Sequence, residues 1–188
     1  MVYSGIMQRS FYFMRHGETD WNRRNVYMGS QDIPLNEAGI EQAKLAALQL
    51  KQEPIGHIVT SPLSRAFTTA KIVGEVIQKP VTVIENLREC SLGTEEGQTK
   101  DNKDLLDRWF SDNLHGGAES FSSFKMRIEQ GLAQALSLPG LVLIVAHGGV
   151  YHAMHKILDL PFADLANCKA LYYKPPCSVV NSWLASEV

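Results

Sequence analysis

The chain has 188 residues, 45% hydrophobic and 20% charged, the size and balance of one globular domain, which excludes disordered, collagen-like and coiled-coil classes. Eighteen Lys+Arg against twenty Asp+Glu leave a net charge of -2, so no broad cationic face is expected and neither nucleic acid nor a membrane surface is an expected partner. There is no signal-type apolar segment and no apolar run near the roughly 18 residues of a membrane span, and the three cysteines lack C-x-x-C spacing, so a reduced, cytoplasmic protein is expected rather than a disulfide frame or a zinc site.

Residues 1–10 carry no periodic pattern and are expected to form a loose extension of a single domain spanning 1–188. Phe11-Tyr12-Phe13-Met14 reads as a short buried strand. Asn36 is a natural N-cap for a helix from Glu37 to about Lys51, with Ile40, Ala43, Ala47 and Leu50 on one face. His57–Thr60 is a second strand. Ser61-Pro62 then supplies an N-cap and a first-position proline for a helix running to about Gln78, with Ala66, Thr69, Ala70, Val73 and Ile77 inward. Val81–Ile84 is a third strand. A polar stretch from Leu87 to about Gly117 follows, with a short helix near Asp104–Phe110, and a longer helix covers about Glu119–Leu136. Leu141–Ala146 is an unbroken Leu/Val/Ile run, the pattern of a strand covered on both faces. Gly149–Leu158 is helical, and Ser178–Leu184 is a last, more exposed strand. Strands alternating with helices predict an α/β fold: a three-layer α/β/α sandwich with a mostly parallel central sheet.

Ligands of open α/β sheets bind outside the carboxyl ends of the strands. Here those ends carry Arg15-His16-Gly17-Glu18-Thr19, Ser61-Pro62-Leu63-Ser64-Arg65, Leu87-Arg88-Glu89 and His147-Gly148-Gly149. Two guanidinium forks and two imidazoles suit a tetrahedral oxyanion. The adjacent glycines admit close backbone N–H groups, and the last helix would aim its positive end at the anion. Arg65 stands in the first turn of its helix, where the macrodipole disfavours a cation by ~0.3–1 kcal/mol. Helical side chains lean toward the N-terminus, so its guanidinium should reach back over the strand ends. Taken singly, a histidine after a strand is more often structural, Glu89 a solvated acid and Gly148-Gly149 a turn. Their arrival together at strand ends carries the functional reading.

These residues resemble the histidine phosphatase superfamily, also called phosphoglycerate mutase-like. Arg15-His16-Gly17-Glu18-Thr19 matches its R-H-G-E-T motif, continued by Trp21-Asn22, Gly29, Asp32, Pro34-Leu35, Gly39 and Gln42-Ala43. Ser61-Pro62-Leu63-Ser64-Arg65-Ala66, then Leu87-x-Glu89 with Gly93 and Glu96-Gly97, then Ala146-His147-Gly148-Gly149 follow in family order from about Phe11 to about Leu158. The resemblance implies that His16 is the nucleophile that becomes phosphohistidine and Glu89 the proton donor. Arg15, Arg65, Asn22 and His147 would hold phosphoryl oxygens, with Gly29 and Gly148 in the same pocket. It implies no metal and no organic cofactor.

Phosphoryl transfer without a metal needs a positive field, expected from Arg15, Arg65 and a protonated His147. His16 must be unprotonated on its attacking nitrogen. Glu89 is expected to hold its proton near neutral pH through the like charge of the substrate. Phosphoglycerate mutases of the superfamily carry longer segments closing over the site, whereas the connection from Gly97 to Glu119 is short here. The usual G-G-E-S reads Gly116-Gly117-Ala118-Glu119-Ser120, with one residue interposed. The expectation is a phosphomonoester hydrolase acting on a small phosphorylated metabolite. A 2,3-bisphosphoglycerate-dependent phosphoglycerate mutase or a phosphoprotein or phosphohistidine phosphatase is the alternative. A non-catalytic phosphate-ester binder is disfavoured because every expected catalytic position is filled. A metal hydrolase built on His147, His152 and His155 lacks an H-E-x-x-H motif or acidic cluster. Asp101, Lys103, Arg108, Trp109 and His115 are candidate substrate-selecting residues. No oligomeric state is expected one way or the other.

Overall fold

Alternation along the first strand sets the layering. In a computed structural model, which describes residues 8–162 and 164–188, β1 (Phe11–Arg15) sends Phe11 and Phe13 into one hydrophobic core and Tyr12 and Met14 into the other. It lies in a six-stranded sheet with β2 (Ile55–Thr60), β3 (Val81–Val83), β4 (Leu141–Ala146), β5 (Ala170–Lys174) and β6 (Leu184–Glu187), in the order β3-β2-β4-β1-β5-β6. The first four of that order run parallel, while β5 and β6 are antiparallel additions at one edge. The helices α2 (Glu37–Gln49) and α3 (Ser64–Ile77) cover one face through Ala43, Ala47, Ala70 and Val73. On the other face, α5 (Phe121–Leu136) and α6 (Gly148–Leu158) bring Phe124, Ile128, Leu132, Val150 and Met154. Two short helices, α1 (Asp20–Arg23) and α4 (Leu105–Phe110), lie in the loops over the carboxyl ends of the strands. The structure is thus the three-layer, mostly parallel sandwich that the sequence predicts.

Several local expectations need correction. Asn36 caps α2 as predicted, accepting from the Gly39 amide at 2.8 Å, but Ala46 rather than Ile40 completes the buried face. Ser61 is not the cap of α3, which starts at Ser64 behind Leu63. The Ser61 hydroxyl is buried and meets His147 Nε2 at 2.7 Å, so a partner across the sheet has claimed it. The helix expected from Glu119 starts two residues later, because Ser120 is the cap, accepting from the Ser123 amide at 3.2 Å. The predicted strand Ser178–Leu184 is absent. Cys177 and Val180 close a turn on each other (2.8 and 3.1 Å), and pairing resumes only at Leu184. Residues 1–7 of the expected loose extension lie outside the described residues. At Arg9 the expectation fails: its guanidinium donates to the carbonyls of Leu136, Leu138 and Gly140 beyond the end of α5.

The loop after β1 is seated by a backbone-to-backbone approach. A Cβ on Gly17 would lie 2.5 Å from the Gly39 carbonyl oxygen, and one on Gly39 would overlap the Glu18 backbone. Asn36 adds a bond from its amide to Glu18 Oε1 at 2.8 Å. The start of α2 therefore presses the Arg15–Thr19 turn against the sheet and fixes where His16 stands. No helix among the described residues is long and apolar enough to cross a membrane.

Candidate active site

His16 leaves the end of β1 almost completely buried, 2% exposed. Its Nδ1 lies 2.7 Å from the Gly17 carbonyl oxygen, an acceptor only, so Nδ1 carries the proton. That leaves Nε2 as the lone pair, with no hydrogen-bond partner among the described residues. Burial, then the charges of Arg65 and Arg15, hold the imidazole well below its ordinary pKa, so it stays neutral. The backbone around it is tied down twice. Thr69 Oγ1 accepts from the Gly17 amide at 3.0 Å and donates to the Arg65 carbonyl at 2.7 Å, while Asn167 Nδ2 donates to the His16 carbonyl at 2.8 Å.

Arg65 is the second residue of α3 and, at 1% exposed, is among the largest fully buried side chains. Its Nη1 donates to the Gln31 carbonyl at 2.6 Å and its Nη2 to the Gly29 carbonyl at 2.9 Å. Burial pulls its pKa down to about 10, with Glu89 and Asp32 acting against that, so it remains a cation at neutral pH. Arg15 is anchored through Nη1 to the Leu165 carbonyl at 2.8 Å. Among the described residues, the Nε atoms of both arginines and Nδ1 of His147 are buried without a hydrogen-bond partner. An unmet buried polar group costs about 1–3 kcal/mol, so three of them around one histidine mark a place built for an anion.

His147 caps the start of α6, with its ring centroid 5.3 Å from that of His16. Ser61 Oγ accepts from the Leu63 amide at 3.2 Å and lies 2.7 Å from His147 Nε2; a neutral ring that takes the Ser61 proton at Nε2 carries its own on Nδ1. Burial, then Arg65, His16 and Arg15, keep this imidazole well below its ordinary pKa. The imidazolium expected from sequence is therefore replaced by a neutral N–H donor; the positive field comes from the two arginines.

Glu89 accepts from the amides of Gly149 (2.9 Å, to Oε2) and Cys90 (3.1 Å, to Oε1). Its pKa is raised, and the cause is burial; the Gly149 bond and the charges of Arg65 and Arg15 oppose it. Burial thus acts in the same direction as the like charge of a substrate that the sequence reading invokes. Asn22 sits in α1, where its Oδ1 accepts from the Thr19 amide at 3.2 Å and leaves the NH2 group for a ligand. Gly29 has φ +52 and gives its carbonyl to Arg65, so it orients the arginine.

One cavity of about 340 Å³ gathers Arg15, His16, Asn22, Gly29, Arg65, Glu89 and Gly148, while His147 is fully buried beside it. Of the predicted selecting residues, Lys103 and Trp109 line this cavity, whereas Asp101, Arg108 and His115 do not. Lys100, Asn102, His152 and Asp164 line it without having been foreseen. His155 is turned into the core, with Nδ1 on the Pro161 carbonyl and Nε2 on the Tyr173 hydroxyl at 2.7 and 2.8 Å, so the three-histidine metal reading fails on geometry. Asn167 gave no sequence signal. Thr69 had a weak one: a hydroxyl on an otherwise apolar helix face one turn beyond Arg65.

Glu96 holds the loop beneath Arg65. It accepts from the Ser30 and Leu92 amides at 2.8 and 2.9 Å and from Gln31 Nε2 at 2.6 Å. Burial raises its pKa, but these donors together outweigh that and leave it lowered. A carboxylate with a depressed folded value contributes stability above its unfolded pKa of about 4.3, and the contribution is lost as pH falls through the folded value. Glu96→Gln is expected to remove that dependence, flattening the melting temperature against pH below about 4.3 relative to the parent protein.

The sequence model of the histidine phosphatase superfamily (branch 1) matches residues 11–181. The chain belongs to the histidine phosphatase superfamily. This histidine phosphatase is 36% identical over 143 residues to the "Uncharacterized phosphatase PhoE" of Bacillus subtilis, covering 75% of this chain and 72% of that one. It is 34% identical over 147 residues to the "Probable phosphoglycerate mutase GpmB" of Photorhabdus laumondii, covering 73% and 68%. Among solved structures, a mycobacterial glucosyl-3-phosphoglycerate phosphatase superposes with a TM-score of 0.78 at 27% identity over 95% of this chain and 97% of that one. The histidine phosphatase is thus an enzyme related to both phosphatases and phosphoglycerate mutases.

Proposed function

We propose that the enzyme is a phosphomonoester hydrolase working through phosphohistidine on His16, acting as a single cytoplasmic domain, without metal or organic cofactor, on a small phosphorylated metabolite. The observation that carries this is the neutral His16 with a free Nε2 beside the buried Arg65 and the half-buried Arg15. Nε2 attacks phosphorus in line, and the P–O bond to the alcohol breaks. Arg15, Arg65, the Asn22 NH2 group, His147 Nδ1–H and the amide end of α6 at Gly148 stabilise the equatorial oxygens. Glu89, whose pKa burial raises, gives its proton to the departing alkoxide. In the second half, ionised Glu89 takes a proton from water as the oxygen attacks phosphorus. The N–P bond then breaks, releasing inorganic phosphate and restoring neutral His16.

Lys100 and Lys103 line the same cavity and favour an ester whose alcohol part carries a further anionic group. Mutase activity is the second reading, supported by the likeness to the GpmB protein. The test is a panel of phosphate esters, with 3-phosphoglycerate and a phosphopeptide included, assayed with and without 2,3-bisphosphoglycerate. Release of inorganic phosphate from small esters without the bisphosphate is the expected result. Isomerisation that depends on it, with no net phosphate release, would overturn the proposal in favour of the mutase.

A further inference from the structure

The Glu119 motif has no part in the chemistry above, yet it leads directly to the proton donor. Arg127, on α5, forks onto Glu119 through Nε–Oε1 at 3.0 Å and Nη2–Oε2 at 2.7 Å. Its remaining terminal nitrogen, Nη1, donates to the carbonyls of Asn86 (3.1 Å) and Arg88 (2.8 Å). Glu119 in turn donates its backbone amide to the Ser91 carbonyl at 2.9 Å. The guanidinium also lies 4.8 Å from the centroid of the Phe124 ring, which is fully buried, and both members of the pair are only 24% exposed. A planar fork spent on four acceptors has no freedom to drift.

We infer that Arg127, acting with Glu119, is a positioning residue for Glu89; the inference rests on the reading of Glu89 as proton donor. Carbonyls on both sides of residue 89, at 86, 88 and 91, are clamped to the start of α5 and the turn before it. The Glu89 carboxyl itself accepts from two backbone amides, Cys90 and Gly149. Arg65 and Arg15 are the cations that act on its charge, whereas Arg127 grips the backbone just before it, at Asn86 and Arg88. Glu89, Ser91, Glu119 and Arg127 also line one cavity of about 440 Å³, so the clamp stands beside Glu89 on that side. Burial raises the Glu89 pKa, so a released clamp that lets water reach the carboxyl is expected to lower it.

The experiment compares Arg127→Gln, Arg127→Lys and Glu89→Gln on an alkyl phosphate and on p-nitrophenyl phosphate, with kcat measured against pH and folding checked by thermal melting. Arg127→Gln is expected to lose roughly 10- to 100-fold in kcat on the alkyl ester, as for an ångström-scale misplacement, and far less on the nitrophenyl ester. Its alkaline limb should move to lower pH. Arg127→Lys, which keeps one carbonyl contact without the fork, should fall between and carries the comparison if the glutamine variant does not fold. Equal losses on both esters with an unmoved alkaline limb would reduce the clamp to scaffolding and overturn the inference. If Glu89→Gln itself fails to separate the two esters, the proton-donor reading falls and takes the clamp's role with it.

Discussion

Replacing His16 with alanine is expected to abolish turnover, by on the order of 10⁴-fold or more, because it removes the unprotonated Nε2 that stands beside Arg15 and Arg65. The substitution should leave the fold intact. The ring makes one side-chain hydrogen bond, to the neighbouring Gly17 carbonyl, and the loop is held through its backbone by Thr69 and Asn167. Rapid quenching of the parent enzyme with labelled substrate should trap an acid-labile, base-stable phosphoprotein, and the alanine variant should trap none. A variant that still forms such an adduct would place the nucleophile elsewhere. The lowered pKa of His16 adds a second check. Only the neutral ring attacks, so protonation of His16 should not limit kcat/KM near pH 6.5, and any acid limb should lie below the ordinary histidine range.

The second large effect is expected at Glu89. Glutamine keeps the shape and removes the proton that an alkoxide needs, so Glu89→Gln should slow alkyl esters by about 10²–10⁴-fold while touching nitrophenyl phosphate little. The pH dependence has a definite sign. A general acid works while protonated, so turnover of alkyl esters should fall as pH rises through the raised Glu89 value, and that alkaline limb should vanish in the variant. Steady-state kinetics on the two ester types across pH reads both effects. Matching losses on both esters would remove Glu89 from the acid role.

In the proposed mechanism the positive charge comes from Arg15 and Arg65, and His147 serves as a neutral donor. Two arginines brought out of water act strongly at short range, while a neutral imidazole relayed to Ser61 supplies a directed N–H without adding a third buried charge. The cation nearest His16 in chain order, Arg15, and the one on α3, Arg65, are each anchored to main-chain carbonyls. They are therefore in place before a ligand arrives, and little reorganisation accompanies reaction.

Much was legible along the chain. Strands β1 and β4, the Asn36 cap and the motifs at the carboxyl ends of the strands are local features: runs of apolar residues, a side chain bonding an amide three residues on, a cluster of residue types suited to an oxyanion. Such features depend on neighbours within a turn or a strand, and the sequence lays those neighbours side by side. Strand β5 was missed and the last strand, expected at Ser178–Leu184, was placed too early, because an antiparallel edge owes its existence to the strand beside it; all four residues of β6 are exposed and show no alternation. The neutral state of His147, the burial that lifts Glu89, the Gly29 carbonyl on Arg65 and the grip of Arg127 on residues 86 and 88 were decided only by the tertiary structure. Loss of water and long-range hydrogen bonds are set by groups far apart in the chain, and only folding brings those groups within reach of one another.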